Sequence, residues 1–435
     1  MNHLIRLSIL LSFISSNQLM AQPRLTDPFY QIAPSPESNG MGGISSTLLT
    51  QNALTTSYNP GQLALFALGS SFNASAYTSR PQIYYVDALK PGPVLSTWAG
   101  AIGLNLGEYL HSPWPLSLGI GYSRRSLAGL DYQFPGQFKL DTNMISENQQ
   151  IASIGFGVDK FIQFGIGVNF KYLEWTMSLA PGALGQPRKN SFNASAWDFG
   201  AVLKVPLLEL FTHLEEAHSG AISWSSISCD MIFSYNLQNV GHGFVIIDAA
   251  TEEPFPRNAT LGLGFQLGVV SHQDKYNWTP ISLTAVREAN DLLVRFVGGD
   301  TLFNVAGPGT YRVTDTYPEY QGLTGAIQFF KNVIMGQGNG KVEIRNGLQL
   351  KLFEALALRR GWIENGTTST STYGFGLQLS GFLKFIDSYV SSFTENGPLS
   401  FAVKHLDLQF DYAHYNSSQP ATDDLTFESL NFVVK

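Results

Sequence analysis

Charge is what this chain of 435 residues has least of: Asp, Glu, Lys and Arg make up 14% of it, where a soluble globular protein carries about 25%. Too few ionised groups are present to keep an ordinary protein surface wet. Long apolar runs are missing as well. Beyond the N-terminus no stretch of about 18 or more apolar residues is available for a membrane-spanning helix, which excludes a helical membrane protein. Cysteine occurs once, as Cys229, and this excludes an intrachain disulfide framework and any multi-cysteine metal site. Nor is there a basic excess: the formal net charge is -7, so nucleic acid is not a partner.

Motifs for chemistry are just as scarce. The eight histidines, among them His111, His213, His218, His242, His272, His405 and His414, show neither metal-ligand spacing nor an HExxH pattern. The serines near Gly69–Ser71 lack a nucleophile elbow. The glycines from Gly262 to Gly268 alternate with apolar residues, which places them in a strand and not in a phosphate cradle. Asp407 and Asp411 share one face of a strand, and solvated pore charge accounts for them better than acid/base catalysis. The expectation is a protein with no enzyme activity, no catalytic residues, no cofactor and no metal.

At the N-terminus, residues 1–21 read as a secretory signal. Arg6 carries the positive charge, residues 7–14 are a short apolar stretch, and Leu19, Met20 and Ala21 form a cleavage site before Gln22. No cysteine follows the stretch, so no lipoprotein anchor is expected. The chain reads as an exported protein.

What the rest of the chain does have is alternation. Phe164, Ile166, Val168, Phe170 and Tyr172 alternate with Gly165, Gly167, Asn169 and Lys171, a strict period of two. The pattern recurs over 116–123, 260–269 and 406–412. It recurs also around 64–76, 98–107, 152–158, 197–205, 231–238, 281–286, 348–352, 373–380 and 430–434, and more weakly near 128–134 and 356–362. About fourteen strands are expected, an even number as a bacterial outer-membrane barrel needs.

A soluble sandwich is the competing architecture. Its outer faces carry Lys and Glu opposite the apolar residues, whereas here the second face is Gly, Ser, Asn and Gln. An Arg or Lys at the bilayer midplane of a barrel costs about 2–4 kcal/mol, while the lumen accepts small and polar groups. The asymmetry favours an all-β, antiparallel transmembrane barrel. Lys171, Asp407 and Asp411 then face the lumen. Ile166 faces lipid, and Gly167→Ser is tolerated if the lumen has room. Tyr109, Trp114, Trp175, Trp278 and Trp362 stand near segment ends, either as interfacial girdles or as scattered packing aromatics. Residues 207–218, 323–334 and 382–390 have helical apolar spacing and read as short loop helices that cover a rim or touch a partner. Residues 291–320 read as a long extracellular connection.

Several short sequences resemble a known family. Asn39-Gly40-Met41-Gly42-Gly43, followed by Tyr58-Asn59-Pro60-Gly61-Gln62-Leu63-Ala64, resembles the N-terminal signature of FadL-like outer-membrane barrels, above all the PorV/PorQ branch of the Bacteroidetes. Trp197-Asp198-Phe199-Gly200, Asn239-Val240-Gly241, Pro254-Phe255-Pro256-Arg257, Ala357–Trp362 and Tyr373–Leu377 resemble later elements of that branch in order, so the likeness runs over 39–377. It departs in Gly61-Gln62, in generous loops, and in an end Phe432-Val433-Val434-Lys435 that lacks a terminal aromatic. The resemblance implies a fourteen-strand barrel over 63–435, with residues 22–62 partly plugging its lumen. It points to Gly40, Gly42, Gly43, Asn59 and Pro60 as plug residues, and to Asp198, Gly200, Asn239, Gly241, Pro256 and Arg257 as strand-motif residues.

Two functions follow from the family. PorV-like members are accessory or shuttle barrels of type IX secretion, whose partners are secretion-system proteins and secreted cargo. FadL-like members move hydrophobic small molecules. The motifs lean towards the first, and a purely structural barrel subunit is the third reading. All three expect an outer-membrane location and outer-membrane lipid as a partner.

Overall fold

The computed structural model describes residues 33–434 apart from 34, 51, 70–71, 80–93, 113, 133–142, 180–187, 210–224, 242–243, 246–251, 254–256, 273–276, 298–309, 314–328, 338–341, 365–368, 390–404 and 418–424. The stretch 1–21 expected as a secretory signal lies outside the described residues, as does most of the helix expected over 207–218.

Fourteen strands form one closed antiparallel barrel in which every strand pairs with its neighbours in sequence. They are β1 (Phe72–Ser79), β2 (Val94–Asn105), β3 (Leu116–Tyr132), β4 (Asn143–Asp159), β5 (Gln163–Leu179), β6 (Arg188–Pro206) and β7 (Ser225–Gly241). The circuit continues through β8 (Asn258–His272), β9 (Asn277–Leu292), β10 (Val342–Leu352), β11 (Leu356–Glu364), β12 (Ser369–Gln378), β13 (Leu406–Ser417) and β14 (Leu425–Val434). Closure comes from β1, where Phe72 pairs with Val434 of β14 on one side and Ile102 of β2 on the other. A closed sheet leaves no edge strand, so every strand has a hydrogen-bonded neighbour on both sides.

The period of two sets the two faces. On β5 the side chains of Phe164, Ile166, Phe170 and Tyr172 point outward and are exposed, while Asn169, Lys171, Leu173 and Trp175 point inward and are buried. On β14 Leu430 and Phe432 are outward, and Ser429, Asn431 and Val433 inward. The outer surface is therefore a belt of large apolar groups: Trp98, Ile102, Ile120, Ile154, Phe156, Phe265, Leu267, Ile281, Leu283, Leu358 and Leu377 all belong to it. Strands β3 to β7 run to 17–19 residues, longer than the 9–11 a tilted strand needs to cross a bilayer core.

Because Phe72 and Val434 pair, the wall starts and ends at the same rim, here called the termini rim. The β2–β3, β4–β5, β6–β7, β8–β9, β10–β11 and β12–β13 connections lie there. The long connection between β9 and β10, which contains most of the stretch 291–320, lies at the far rim, and its described parts Val294–Val297 and Thr310–Val313 pair as a short ribbon.

Some expectations need correction. The alternation over 64–76 divides into a helix, Gly61–Gly69, and then β1 from Phe72. The stretch 62–68 is apolar almost throughout, so its period is ambiguous, and its Leu and Ala residues favour helix. Residues 116–123 and 128–132 belong to one strand, β3, interrupted by a register shift between Leu127 and Leu130, and 133–134 lie outside the described residues. Trp175 and Trp278 are no interfacial girdle: each is only 8% exposed, because each sits at an inward position of its strand. The helix expected near 382–390 is present as Leu379–Tyr389, and a single π-turn, Phe330–Ile334, falls within the stretch expected over 323–334.

Candidate functional site

The N-terminal residues are built against the inside of this wall. A short helix α1 (Pro36–Gly40) starts at Ser35, whose Oγ accepts from the Ser38 N–H at 3.2 Å. Asn59 and Pro60 start the second helix, α2 (Gly61–Gly69): the Asn59 Oδ1 accepts from the Gly61 N–H at 3.0 Å, and proline suits a first helical turn because its missing N–H has no partner to lose. Apart from Gln62, whose amide donates to Ser45 O at 2.9 Å and Ser46 O at 2.8 Å, this helix is apolar on all sides, as suits a helix enclosed by other protein. Residues 35–48 are buried, polar ones included.

Hydrogen bonds tie the segment to strands around the whole circuit. The Glu288 carboxylate on β9 accepts from the consecutive N–H groups of Ser46 and Thr47, both at 2.7 Å, and from that of Ser45 at 3.2 Å. From β12, Thr372 Oγ1 accepts from the Gly42 N–H at 2.8 Å, and on β10 Arg345 donates to Gly43 O at 2.9 Å. The Asn59 amide donates to Ser46 Oγ at 2.9 Å and to Ala201 O of β6 at 3.3 Å. Asn236 and Gln238 of β7 donate to Tyr58 O, and Ser117 of β3 donates to Ala64 O at 2.7 Å. Burial raises the Tyr58 phenol above its ordinary value, opposed by the nearby Arg125 guanidinium, so this ring stays neutral.

The inward glycines find their reason here. A Cβ at Gly165 or Gly167 would run into the carbonyls of Gly61 and Pro60, and one at Gly200 into Asn59 and Pro60. A Cβ at Gly361 would strike the Gly42 backbone, and Gly42 itself has φ +75 with Asn346 O and Trp362 N each 2.9 Å from where its own Cβ would sit. Gly167→Ser therefore has no room: the lumen at that position is filled by Pro60.

The residues singled out as lumen-facing do point inward, but they are not solvated pore charges. Lys171 Nζ lies 2.9 Å from Asp198 Oδ2 and 2.9 Å from Asn239 Oδ1. Asp198 Oδ1 accepts from the Asn239 N–H at 2.9 Å, and its Oδ2 from Asn169 at 3.0 Å. Asn239 has φ +61 at the β6–β7 register shift opposite Asp198, so the Asp198-x-Gly200 and Asn239-x-Gly241 motifs, distant in sequence, make one capped bulge. Asp411 is paired with Arg359 Nη1 at 2.7 Å, and Arg359 Nη2 reaches Glu37 of α1 at 3.1 Å. Gln409 and Asn431 donate to the other Asp411 oxygen at 2.7 and 3.1 Å. Asp407 accepts from Gln378 and, at 3.1 Å, from the Ser380 N–H.

The remaining motif residues take no part in the Lys171 and Asp411 clusters. Gly40 approaches Gly374, and Gly43 has φ +71. Pro256 lies outside the described residues; Arg257 precedes β8, its carbonyl accepting from the Leu293 N–H at 2.8 Å. Sequence reasoning missed Glu37, Glu288, Arg345 and Thr372 as anchors. The signal available was a charge at an inward phase of an otherwise weakly charged strand, as with Glu288 on β9 and Arg359 on β11.

Towards the far rim the inward face changes character. Tyr77, Leu95, Leu127, Leu173, Trp175, Tyr415 and Phe427 form one buried apolar cluster, with Phe192, Ala194 and Ile363 packed against it. Tyr77 stacks on Phe427 at 6.2 Å, and Tyr415 meets the edge of Phe427 at 5.2 Å. Its floor is Ala53 and Leu54 of the N-terminal segment. Among the described residues no group of His, Cys, Asp and Glu is arranged to hold a metal ion.

No family model matches the chain, and no curated protein matches its sequence. Solved barrels do match in outline. The Ralstonia pickettii toluene transporter TbuX is 11% identical with a TM-score of 0.43, covering 93% of this chain and 98% of that one. A Pseudomonas aeruginosa FadL homologue is 10% identical with a TM-score of 0.40, covering 93% and 97%. The translocator domain of the Neisseria meningitidis autotransporter NalP is 11% identical with a TM-score of 0.32, covering 84% and 87%.

Proposed function

We propose that the protein is an outer-membrane barrel that takes up hydrophobic small molecules in the far half of its lumen and carries them inward, while residues 35–69 close the termini half to polar solutes. The observation that carries this reading is the inward apolar lining of Tyr77, Leu95, Leu127, Leu173, Trp175, Tyr415 and Phe427. A pore for polar solutes needs a wet, polar lumen, whereas these side chains are apolar and packed on one another, and apolar surroundings suit an apolar ligand. The outer-membrane location is supported by the outward apolar belt, which water would not tolerate at that size and a bilayer would cover. The orientation follows outer-membrane barrels generally: long connections, above all the one between β9 and β10, face the cell exterior.

An accessory role in type IX secretion, the first function implied by the motif resemblance, draws on those motifs alone, and the lumen lining favours hydrophobic-molecule transport over it. The PorV/PorQ assignment and a Bacteroidetes source have the same single footing. The test compares a strain lacking the gene with its parent for uptake of apolar solutes and for its secreted and surface proteomes. Reduced apolar uptake with an intact secretome is the expected result. Altered surface display with normal uptake would restore the secretion reading.

A further inference from the structure

A third helix, α3 (Leu379–Tyr389), follows β12 at the termini rim, and it is turned inside out. Leu379, Phe382, Leu383 and Ile386 occupy one face at i, i+3, i+4 and i+7. Leu379 is 47% and Phe382 53% exposed, and Leu383 and Ile386 are half-buried. The face that meets the protein is instead the polar and small one. Ser380 and Gly381 are buried, the Ser380 N–H donates to Asp407, and a Cβ at Gly381 would collide with the backbone of Glu354. A helix in water turns its apolar side to the core; here the core side is held by hydrogen bonds and the apolar side looks out.

What lies beside this face identifies its occupant. Leu377, the last outward residue of the β12 belt, is 50% exposed and precedes Leu379 by two residues. Phe353, in the tight β10–β11 turn, is 40% exposed and links the helix to the wall: its ring stacks on Trp278 at 6.2 Å and meets Phe385 of α3 at 4.7 Å. Trp278 itself points inward, so it serves as the buried anchor that holds the exposed Phe353 ring between the wall and the helix. Lys384 is paired with Glu354 at 2.7 Å, so the described part of the helix presents no free cation to anionic headgroups. The attraction is apolar burial.

We propose that α3 is an interfacial helix: it rests in the phospholipid leaflet at the termini rim, its Leu379–Phe382–Leu383–Ile386 face continuing the belt and fixing the depth at which the barrel sits. The proposal rests on the bilayer reading of that belt. The binding is insensitive to the anionic lipid fraction, because no unpaired positive charge on the described helix contributes.

The test uses the full chain in phosphatidylethanolamine vesicles, with Cys229→Ser as background and single nitroxide labels at Phe382→Cys on the helix and Leu267→Cys on the mid-belt. Collision with oxygen and with an aqueous nickel chelate gives each label's depth. The expected result is a belt label deep in hydrocarbon and a helix label buried by about 5–10 Å, unchanged when phosphatidylglycerol is added. A deep belt label with a helix label open to nickel overturns the interfacial helix and leaves the barrel reading standing. If both labels are open to nickel, the bilayer reading itself fails, and the helix proposal with it. Dipolar broadening between helix labels shows a second copy of the chain on this face, which also overturns the proposal.

Discussion

The two halves of the lumen are lined by the same strands and yet have opposite chemistry. On β5 the inward positions read Gly165, Gly167, Asn169 and Lys171 and then, further along, Leu173 and Trp175. On β3 they read Ser117, Gly119, Ser123 and Arg125 before Leu127, and on β13 Asp407 and Asp411 before Ala413 and Tyr415. The switch falls where the wall stops meeting the segment's backbone and meets its apolar side chains Ala53, Leu54, Leu63 and Phe66 instead. In the termini half the wall must accept another stretch of backbone, whose N–H and C=O groups need partners and whose close approach forbids a Cβ. Towards the far rim these three strands turn to aromatic and aliphatic groups, while Glu147 of β4 and Asp291 of β9 remain buried polar groups at that height. A barrel lumen is thus not one environment; its polarity follows what occupies it at each height.

The comparison breaks most severely where charge or bulk is put in the wrong place. Ile166→Arg sets a cation in the outward belt and should cost about 2–4 kcal/mol, read as loss of the heat-modifiable folded band on a gel. Gly361→Leu should do comparable damage from inside, because its side chain takes the space of the Gly42 backbone, and overpacking costs about 1–3 kcal/mol. Protease cleavage within residues 35–69 would report the displaced segment. Gly167→Ser belongs with Gly361→Leu, and its assembly at wild-type yield would show that Pro60 does not fill that position.

Arg359→Met should cost at least as much as either Ile166→Arg or Gly361→Leu. It leaves Asp411 and Glu37 buried without their shared cation, a loss of about 3–5 kcal/mol for a buried pair broken on one side. The double variant Arg359→Met with Asp411→Leu should recover part of it, as measured by denaturant midpoints. Trp175→Ala should spare assembly and weaken apolar ligand binding by about tenfold, or ~1.4 kcal/mol, checked by titrating the purified barrel with an aromatic hydrocarbon. Lys204→Ala, which removes a partly exposed partner of Asp230 near the termini rim, should change stability by less than ~1 kcal/mol.

Much of the wall was legible in the sequence because a period of two needs no tertiary information. Every barrel strand overlaps an alternating segment, and the inward phase of Lys171, Asp407 and Asp411 followed from their apolar neighbours. What those side chains do was not legible. Lys171, Asp198 and Asn239 meet only because β5, β6 and β7 are adjacent, and Arg359 meets Glu37 across 322 residues. The helix Gly61–Gly69 escaped because an enclosed helix has no polar side to mark its period. Their position near segment ends makes Trp175 and Trp278 candidate interfacial aromatics, whereas phase alone puts them inside.

The account stands most directly on the claim that residues 35–69 close the termini half. Conductance of the full chain in planar bilayers tests it, because the segment that Glu288, Arg345 and Arg359 hold lies across the interior that a polar solute would have to cross. The account predicts membranes that bind the protein and carry no porin-sized current steps. Stable, large current steps from the intact chain would contradict it.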